Sequence, residues 1–242
     1  MKRNHVKFLV GLCIILFSFS ACKKESEHGV SVHFLTKLTN KQSAIQKVPA
    51  TNTLTVESFE INIKEIEFEY DENDALYVEN DSTYYDDIEL KGPFEIDLMK
   101  GGKTQVQTII NSANIPIALY DEIEFEFCKN KDTKSTIFGK SIVIKGLINN
   151  VPFIYSTDQE IELEIEFQNG LAIDGIADTH VFVSFDMDEL FDVSKGGVDL
   201  TSAVDGNGDG KIEIFAQDPD GNEQIAASIW MRLNQIVDAY DD

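Results

Sequence analysis

Residues 205–213 carry the side chains best suited to bind a metal ion. Side-chain oxygens recur at alternate positions in Asp205, Asn207 and Asp209. Gly210 allows the sharp turn through which such a segment can surround one cation, and oxygen ligands at this spacing suit calcium. The pattern predicts a structural calcium loop, and an acidic turn that binds no ion is the alternative.

The segment departs from the EF-hand pattern at its last ligand. Ala216 occupies the position where an EF-hand has a bidentate glutamate. The missing ligand would have to come from Glu213, Asp218 or Asp220, and we favour Asp218 because it belongs to a second acidic turn nearby. Lys211 would contribute its backbone carbonyl oxygen. The predicted ligands are therefore Asp205, Asn207, Asp209, Lys211, Glu213 and Asp218.

A second chemical feature lies near the N-terminus, where Phe19-Ser20-Ala21-Cys22 resembles a lipobox. It follows a basic segment and a short apolar run, which together are typical of a signal peptide and too short for a membrane-spanning helix. We predict a lipoprotein signal peptide over residues 1–21, a lipid on the thiol of Cys22, and a tether over residues 22–29. An ordinary signal peptide followed by a chance cysteine is the alternative.

The residue after this cysteine bears on location. Lys23 stands there instead of an aspartate, and by resemblance to known lipoprotein sorting this favours the outer membrane. The several lipid chains of a bacterial lipoprotein anchor a protein stably. The prediction is a cell-envelope protein held on the outer membrane through Cys22, on either its periplasmic or its surface face.

The charge of the chain excludes one class of partner. Asp and Glu number 43 against 20 Lys and Arg, which gives a formal net charge of −23 at pH 7. Such a chain repels polyanions, so nucleic acid is not an expected partner, and divalent cations are natural counterions. With Cys22 lipidated and the signal peptide removed, Cys128 is the only thiol, so no internal disulfide is expected.

Three tyrosines form a candidate ligand loop. Tyr77, Tyr84 and Tyr85 lie in an acidic segment, residues 71–87, that is too polar for a core. Loops of this length are often functional, and tyrosines there could stack on a sugar, although a solvated loop is the simpler interpretation. The segment leaves the identity of a glycan or protein ligand open.

No catalytic residues are predicted. The sequence contains no Gly-x-Ser-x-Gly elbow, no His-Glu-x-x-His motif and no phosphate-binding glycine loop. Two carboxylates at a set separation suffice for glycoside hydrolysis, but a chain this acidic offers many such pairs by composition alone. We expect a protein that is not an enzyme.

Alternating apolar and polar residues predict the elements that must position these side chains. Residues 59–63 and 66–70 alternate in two phases, which indicates one long strand with a bulge or two strands. Asn149-Asn150 and Asn169-Gly170 each separate alternating segments and suit two-residue hairpin turns. Further strands are predicted at 30–35, 94–98, 122–128, 141–148, 153–156, 161–167, 171–173 and 180–185.

Helical spacing is confined to three places. Short helices are predicted at residues 105–113 and 187–191, and an amphipathic helix over residues 222–240. Because strands dominate and the turns are short, the pattern predicts a mainly β chain. We expect one antiparallel β-sandwich domain over residues 30–242 that includes the acidic loop and ends in the amphipathic helix.

Several segments together resemble Bacteroidetes-type envelope lipoproteins that carry the β-sandwich domain of unknown function 4382. The matching segments are 59–68, 96–98, 115–116, 120–123 and 183–187, with Phe191. The resemblance implies an immunoglobulin- or transthyretin-like sandwich and brings no established catalytic residue. Fimbrial-subunit lipoprotein precursors are similar in anchor and sandwich style, but the arginine-based processing site is absent from this sequence.

Three functions follow, in order of preference. The first is a lipid-anchored, calcium-stabilised sandwich that acts as a binding or structural module and is a monomer. The second is a fimbrial-type adhesion or assembly subunit, which would exchange strands between copies after processing. The third is a glycan-directed hydrolase, which would need a carboxyl pair with perturbed pKa values.

Overall fold

The computed structural model describes residues 29–37, 54–73, 87–233 and 235–241. Outside these residues lie the predicted signal peptide, Cys22, and the loop tyrosines Tyr77, Tyr84 and Tyr85. The described part is mainly β, with twelve strands in two mixed sheets and few helices. The predicted class is therefore confirmed.

In chain order, the strands are β1 (Val30–Lys37), β2 (Leu54–Tyr70), β3 (Ile88–Lys100), β4 (Lys103–Thr104), β5 (Val106–Ala113), β6 (Ala118–Phe127), β7 (Ile142–Ile148), β8 (Val151–Thr157), β9 (Ile161–Ile173), β10 (Thr179–Asp186), β11 (Ile212–Ile214) and β12 (Val237–Asp241). The helices are α1 (Met187–Phe191), which matches its prediction, a 3₁₀ turn (Val193–Lys195) and α2 (Glu223–Leu233). Within the described residues, no helix is both long enough and apolar enough to cross a bilayer.

The first sheet has the order β12-β10-β1-β5, and the second has the order β11-β8-β7-β2-β3-β4, with β6 between β2 and β9. Most neighbouring pairs are antiparallel, as predicted. The pairs β1–β10 and β8–β11 are parallel, so both sheets are mixed and the predicted antiparallel arrangement holds only in part. In both pairs a long stretch of chain joins the strands, and such connections allow the parallel direction that a tight hairpin forbids.

The long strand β2 organises the second sheet. It pairs with β3 along one edge, and on the other edge its first half pairs with β7 and its second half with β6. The change of partner coincides with a register shift between Ile63 and Glu65. This shift confirms the bulged long strand that the two phases of alternation suggested.

Aromatic side chains from both sheets meet in one core. Phe34 of β1 packs edge-on against Phe125 of β6, with ring centroids 5.2 Å apart. Phe59 of β2 meets Phe185 of β10 in the same orientation at 5.3 Å. All four side chains are buried. The two sheets therefore share one hydrophobic core.

The two predicted hairpin turns have different outcomes. Asn149 (φ 53°) and Asn150 (φ 67°) join β7 to β8 as a two-residue turn, which confirms that prediction. Asn169-Gly170 does not end a strand, because β9 continues through it. Leu171 opposes Tyr120 and Glu166 opposes Glu122, so residues 167–170 form a bulge within one strand.

The helix predicted at residues 105–113 is wrong. Val106, Ile109, Ile110 and Ala113 recur at helical spacing, but the segment is the edge strand β5 and pairs antiparallel with β1. Valine, isoleucine and threonine are branched at Cβ and favour strands where a sheet edge is available to pair with. Here the available edge decides the structure, and the periodicity misleads.

The helix predicted over residues 222–240 is wrong in its C-terminal half. α2 ends at Leu233, and Val237–Asp241 pair antiparallel with β10 as β12. Tyr240 fits the helical spacing, yet it stacks on Phe182 of β10 with ring centroids 5.4 Å apart. The unpaired backbone groups of β10 provide partners that a further turn of helix would leave unused.

Candidate functional site

The acidic loop, residues 205–213, curls around the carboxylate of Asp205. The backbone N–H groups of Gly208 and Gly210 each donate to it at 2.8 Å, and that of Asp209 donates at 3.1 Å. The side-chain oxygen of Asn207 accepts a second bond from the Asp209 N–H at 2.8 Å. The segment thus folds into a closed turn, and one network of hydrogen bonds connects the predicted ligands Asp205, Asn207 and Asp209.

The second half of the acidic loop contains an ion pair. Asp209 accepts from the Lys211 N–H at 2.9 Å, and the Lys211 ammonium lies 2.7 Å from the Glu213 carboxylate. The hydrogen bond to Glu213 raises the pKa of Lys211. The Glu213 carboxylate is thus already paired with a lysine, and a cation would have to compete with that lysine for it.

Asp220 ties the second acidic turn to the acidic loop. Its carboxylate accepts from the backbone N–H groups of Glu213 at 2.7 Å and Asn207 at 3.0 Å, and these bonds lower its pKa. Gly206 packs directly against the backbone of Asp220, since a Cβ at Gly206 would lie 2.3 Å from the Asp220 carbonyl oxygen. Of the substitute ligands, Asp220 is the one that bonds both halves of the loop.

Asp218, the substitute that we favoured, caps the adjoining turn. Its carboxylate accepts from the N–H groups of Asp220 at 2.8 Å and Asn222 at 3.0 Å. Asn222 is 2% exposed, and its amide donates to the carbonyl oxygens of Val204 and Glu213, both at 2.8 Å. The sequence does not predict that Asn222 joins these two segments, because an asparagine before a helix looks like an ordinary N-cap.

The donor set of the acidic loop consists of hard oxygens, which suits calcium. Carboxylate oxygens have lone pairs beyond those that the backbone N–H groups occupy, so Asp205, Asn207, Asp209 and the Lys211 carbonyl could hold an ion. Three acidic oxygens within 4.8 Å of one another do not occur in the acidic loop among the described residues. A site in the acidic loop would therefore need the Asn207 side-chain oxygen or backbone carbonyl oxygens in addition to its carboxylates.

Such a set does occur on the second sheet, at Glu122, Glu124 and Glu164. These residues belong to a larger group, the glutamate ladder, in which glutamates oppose glutamates across three adjacent strands. Its members are Glu65, Glu67 and Glu69 of β2, Glu122, Glu124 and Glu126 of β6, and Glu162, Glu164 and Glu166 of β9. Like charges directly opposite one another destabilise a sheet.

The crowding in the glutamate ladder affects the pKa values of two carboxyl groups. Burial raises the pKa of Glu122 to about 7, and the charges of Glu69 and Glu164 add to the rise. Burial also raises the pKa of Glu124 to about 8, helped by side-chain hydrogen bonds with Glu69 and Glu162. One oxygen of Glu122 is buried with no hydrogen-bond partner in the described part of the chain. Among the described residues, lysines pair with the ladder only at one end, where Lys64 lies 2.5 Å from Glu126 and 3.6 Å from Glu65.

A cavity of about 590 Å³ lies where β6 and β7 part from each other along β2. Its floor contains buried Asn62, whose amide donates to the Cys128 carbonyl oxygen at 2.9 Å, and buried Asn130, which donates to Glu95 at 2.6 Å. Burial raises the pKa of the Cys128 thiol. The thiol is partly buried, and its raised pKa keeps it protonated at neutral pH.

Comparison of the chain with protein-family models, with curated proteins and with solved structures finds no match.

Proposed function

We propose that this protein is a lipid-anchored lipoprotein of the bacterial cell envelope, a calcium-stabilised β-sandwich that acts as a non-enzymatic binding or structural module. The observation that carries the proposal is the closed acidic loop. The Asp205 carboxylate accepts hydrogen bonds from three backbone N–H groups of the loop. The Asp220 carboxylate accepts two more, one from each half of the loop. A cation there would fix the acidic loop, which leads into β11, against the turn that precedes α2.

The rest of the proposal extends the sequence argument. Cys22 would carry the lipid, and the lipobox supports this assignment independently of the fold. The shared core of the two sheets is compatible with a sandwich, and the resemblance to the domain of unknown function 4382 remains part of the proposal. We propose that the module is a monomer.

The raised pKa values in the glutamate ladder do not require catalysis. Glu122 and Glu124 are surrounded by carboxylates on both neighbouring strands, and this crowding together with burial accounts for the rise. A hydrolase would use a pair with opposite protonation states, one raised and one ordinary. The pKa values of both groups are raised, and crowding by like charges explains this without a catalytic pair.

Calcium titration of the full-length chain in detergent tests the proposal. We expect saturable heat by calorimetry, and a melting temperature about 5–10 °C higher when calcium exceeds its Kd a hundredfold than in chelator. Asp205→Ala should abolish both effects, because Asp205 is the centre of the acidic loop. Asp174→Ala is the matched control, since Asp174 also accepts a backbone N–H in an exposed turn, from Ile176 at 2.8 Å.

A third variant separates the two acidic sites. Glu164→Gln should leave the calcium effect intact if the ion sits in the acidic loop. If Glu164→Gln removes binding and Asp205→Ala does not, the glutamate ladder is the cation site and the proposed role of the loop is wrong. Absence of heat and of any melting shift would reduce the acidic loop to a turn held by its own backbone.

A further inference from the structure

The proposed lipid anchor is close in sequence to the first described strand. Seven residue steps separate Cys22 from Gly29, which directly precedes β1. A chain of that length spans at most about 25 Å, whatever its conformation. The end of the two sheets at which β1 begins would therefore lie close to the membrane that holds the lipid. We refer to it as the tether end.

The strand registers place two loops at the tether end. The first residues of β1 and β10 are paired, and the last residue of β5 pairs with the first residue of β1. The β5–β6 loop, residues 114–117, and the β9–β10 loop, residues 174–178, each join the first sheet to the second. Because Ala118 pairs with Ile173 across β6 and β9, the two loops leave the second sheet side by side.

Hydrogen bonds tie the β9–β10 loop to the residue at which the tether enters the fold. The Asp178 carboxylate accepts from the Gly29 N–H at 3.0 Å, and the Thr179 N–H donates to the Gly29 carbonyl oxygen at 3.1 Å. The two loops also contact each other, since a Cβ at Gly175 would lie 2.7 Å from the Cδ1 atom of Ile117. The tether and both loops thus form one connected surface.

Each loop exposes an isoleucine. Ile117 is 57% exposed, and Ile176 is 77% exposed, the highest value among the exposed large apolar residues of the described chain. The Ile176 N–H donates to the Asp174 side chain at 2.8 Å and fixes its turn. The Tyr120 hydroxyl donates to the Pro116 carbonyl oxygen at 2.9 Å and fixes the other loop. Both isoleucines are therefore exposed on turns that hydrogen bonds hold in place.

The two loops are nearly uncharged in a strongly acidic chain. Residues 114–117 contain no charged side chain, and the carboxylates of Asp174 and Asp178 both accept backbone N–H groups. Single exposed apolar residues are ordinary on protein surfaces, but Ile117 and Ile176 lie on touching loops where the tether enters. Apolar side chains next to a lipid anchor gain free energy by entering the bilayer interface, which makes a membrane the fitting partner.

Carboxylates beside the two loops restrict the lipid that this surface fits. Asp71 lies next to the start of β6, because its N–H donates to the Leu119 carbonyl oxygen at 3.0 Å. Burial raises the pKa of Asp121, and the negative charges of Asp71 and Glu72 add to the rise. Such a group of like charges repels an anionic membrane. The surface therefore suits zwitterionic phospholipid, whose headgroup has no net charge.

We propose that the tether end is a membrane-contact surface, at which Ile117 and Ile176 enter the headgroup region of a zwitterionic phospholipid bilayer. This inference rests on the proposed lipid anchor and adds the orientation of the protein on its membrane. Tyr70 at the end of β2 pairs with Tyr120 at the tether end, whereas β11 joins the second sheet beside the start of β2. The acidic loop, which leads into β11, would thus face away from the bilayer.

Quenchers carried by the lipid test this orientation. A fluorescent label is placed beside Ile176 through Ala177→Cys in the full, lipid-modified chain, on phosphatidylcholine vesicles with nitroxide groups on their acyl chains. Lys103→Cys is the matched control, since Lys103 is exposed on β4, near the opposite end of β2. We expect roughly threefold stronger quenching at residue 177 than at residue 103. Wild type treated in the same way gives the contribution of Cys128, and equal quenching at the two positions would overturn the proposal.

Serine variants test the isoleucines themselves. Ile117→Ser combined with Ile176→Ser, in the Ala177→Cys chain, should reduce the quenching roughly twofold, because the loops lose their apolar contact while the lipid still holds the chain. Val106→Ser is the control; Val106 is 64% exposed at the far end of β5 and should leave the quenching unchanged. Circular dichroism verifies that all variants fold. Unchanged quenching in the double variant would show proximity through the tether alone and would overturn the contact.

Two comparisons identify the partner. Replacing part of the phosphatidylcholine by phosphatidylglycerol should weaken the quenching at residue 177, and stronger quenching would overturn the choice of headgroup. A dimer of the wild-type chain in sedimentation that the double serine variant abolishes would assign the surface to a second copy and overturn the proposal.

Vesicle flotation of wild type separates this inference from the proposed function. A chain that does not float lacks the anchor, which refutes the proposed anchor and this inference together. Flotation with equal quenching at residues 177 and 103 refutes the membrane-contact surface alone and leaves the lipid anchor in place.

Discussion

Replacing Glu124 by glutamine should stabilise this protein at alkaline pH. Glu124 lies at the centre of the glutamate ladder, opposite Glu67 on one side and Glu164 on the other. Its pKa rises to about 8 in the folded chain, mainly through burial. Because the folded state holds this proton more tightly than the unfolded state, stability falls as the pH rises from the ordinary value of 4.5 toward 8.

The size of the effect follows from this rise. A fully buried group would cost the folded state nearly 5 kcal/mol above pH 8, at about 1.4 kcal/mol for each pH unit. Glu124 is only partly buried, so water and salt screen much of this cost, and we expect roughly 1–2 kcal/mol. Glutamine keeps the shape and a hydrogen-bonding oxygen but removes the charge.

Urea unfolding at pH 5 and pH 8.5 tests the argument. The Glu124→Gln variant should gain roughly 1–2 kcal/mol over wild type at pH 8.5, and much less at pH 5 where the wild-type group is protonated. Glu126→Gln is the control on the same strand and face, and it should gain nothing, because Glu126 already pairs with Lys64. An equal gain at both pH values, or a loss at pH 8.5, would refute the electrostatic reasoning.

Two further predictions concern backbone packing and the anchor. Gly146→Ala should lower the free energy of unfolding by about 3 kcal/mol in urea, because the new Cβ would lie 1.8 Å from the Thr55 carbonyl oxygen. Gly102→Ala, whose Cβ would meet nothing within 3.8 Å, should cost only about 1 kcal/mol through its positive φ. Cys22→Ser should abolish lipid attachment and move the chain from the membrane fraction to the soluble one, as fatty-acid labelling and fractionation would reveal; retention of label would refute the lipobox assignment.

Periodicity predicted the strands that have one buried face and one face exposed to water. In β2 the buried Ile66 and Phe68 alternate with glutamates. Its bulge could also be predicted, because a bulge inserts one residue and shifts the phase of the alternation. The Asn149-Asn150 turn was legible for a similar local reason, since asparagine tolerates positive φ. These features depend on the segment itself and its immediate neighbours.

Elements that depend on a distant sheet edge were predicted wrongly. β5 and β12 both show helical spacing, and both became strands because β1 and β10 offer unpaired edges. The parallel pairing of β1 with β10 joins residues about 150 positions apart, a distance at which no local pattern carries information. A single sequence contains the propensity of each segment but not the list of edges left open by the others.

The glutamate ladder could be predicted from the sequence only in part. The alternation of glutamates in β2, β6 and β9 indicated polar strand faces, but the register that places Glu122 opposite both Glu69 and Glu166 is a tertiary property. The raised pKa values follow from that register and from burial, so no composition argument could have assigned them to Glu122 and Glu124. Three polar faces became one crowded surface only through the strand order.

A cavity of about 410 Å³ between β8 and α2 could not be predicted for a related reason. Tyr155 and Trp230 each appear in the sequence as core residues, and both do pack against the core. A cavity is a volume that neighbouring side chains leave unfilled, and its walls here come from β8, the segment after β11 and α2.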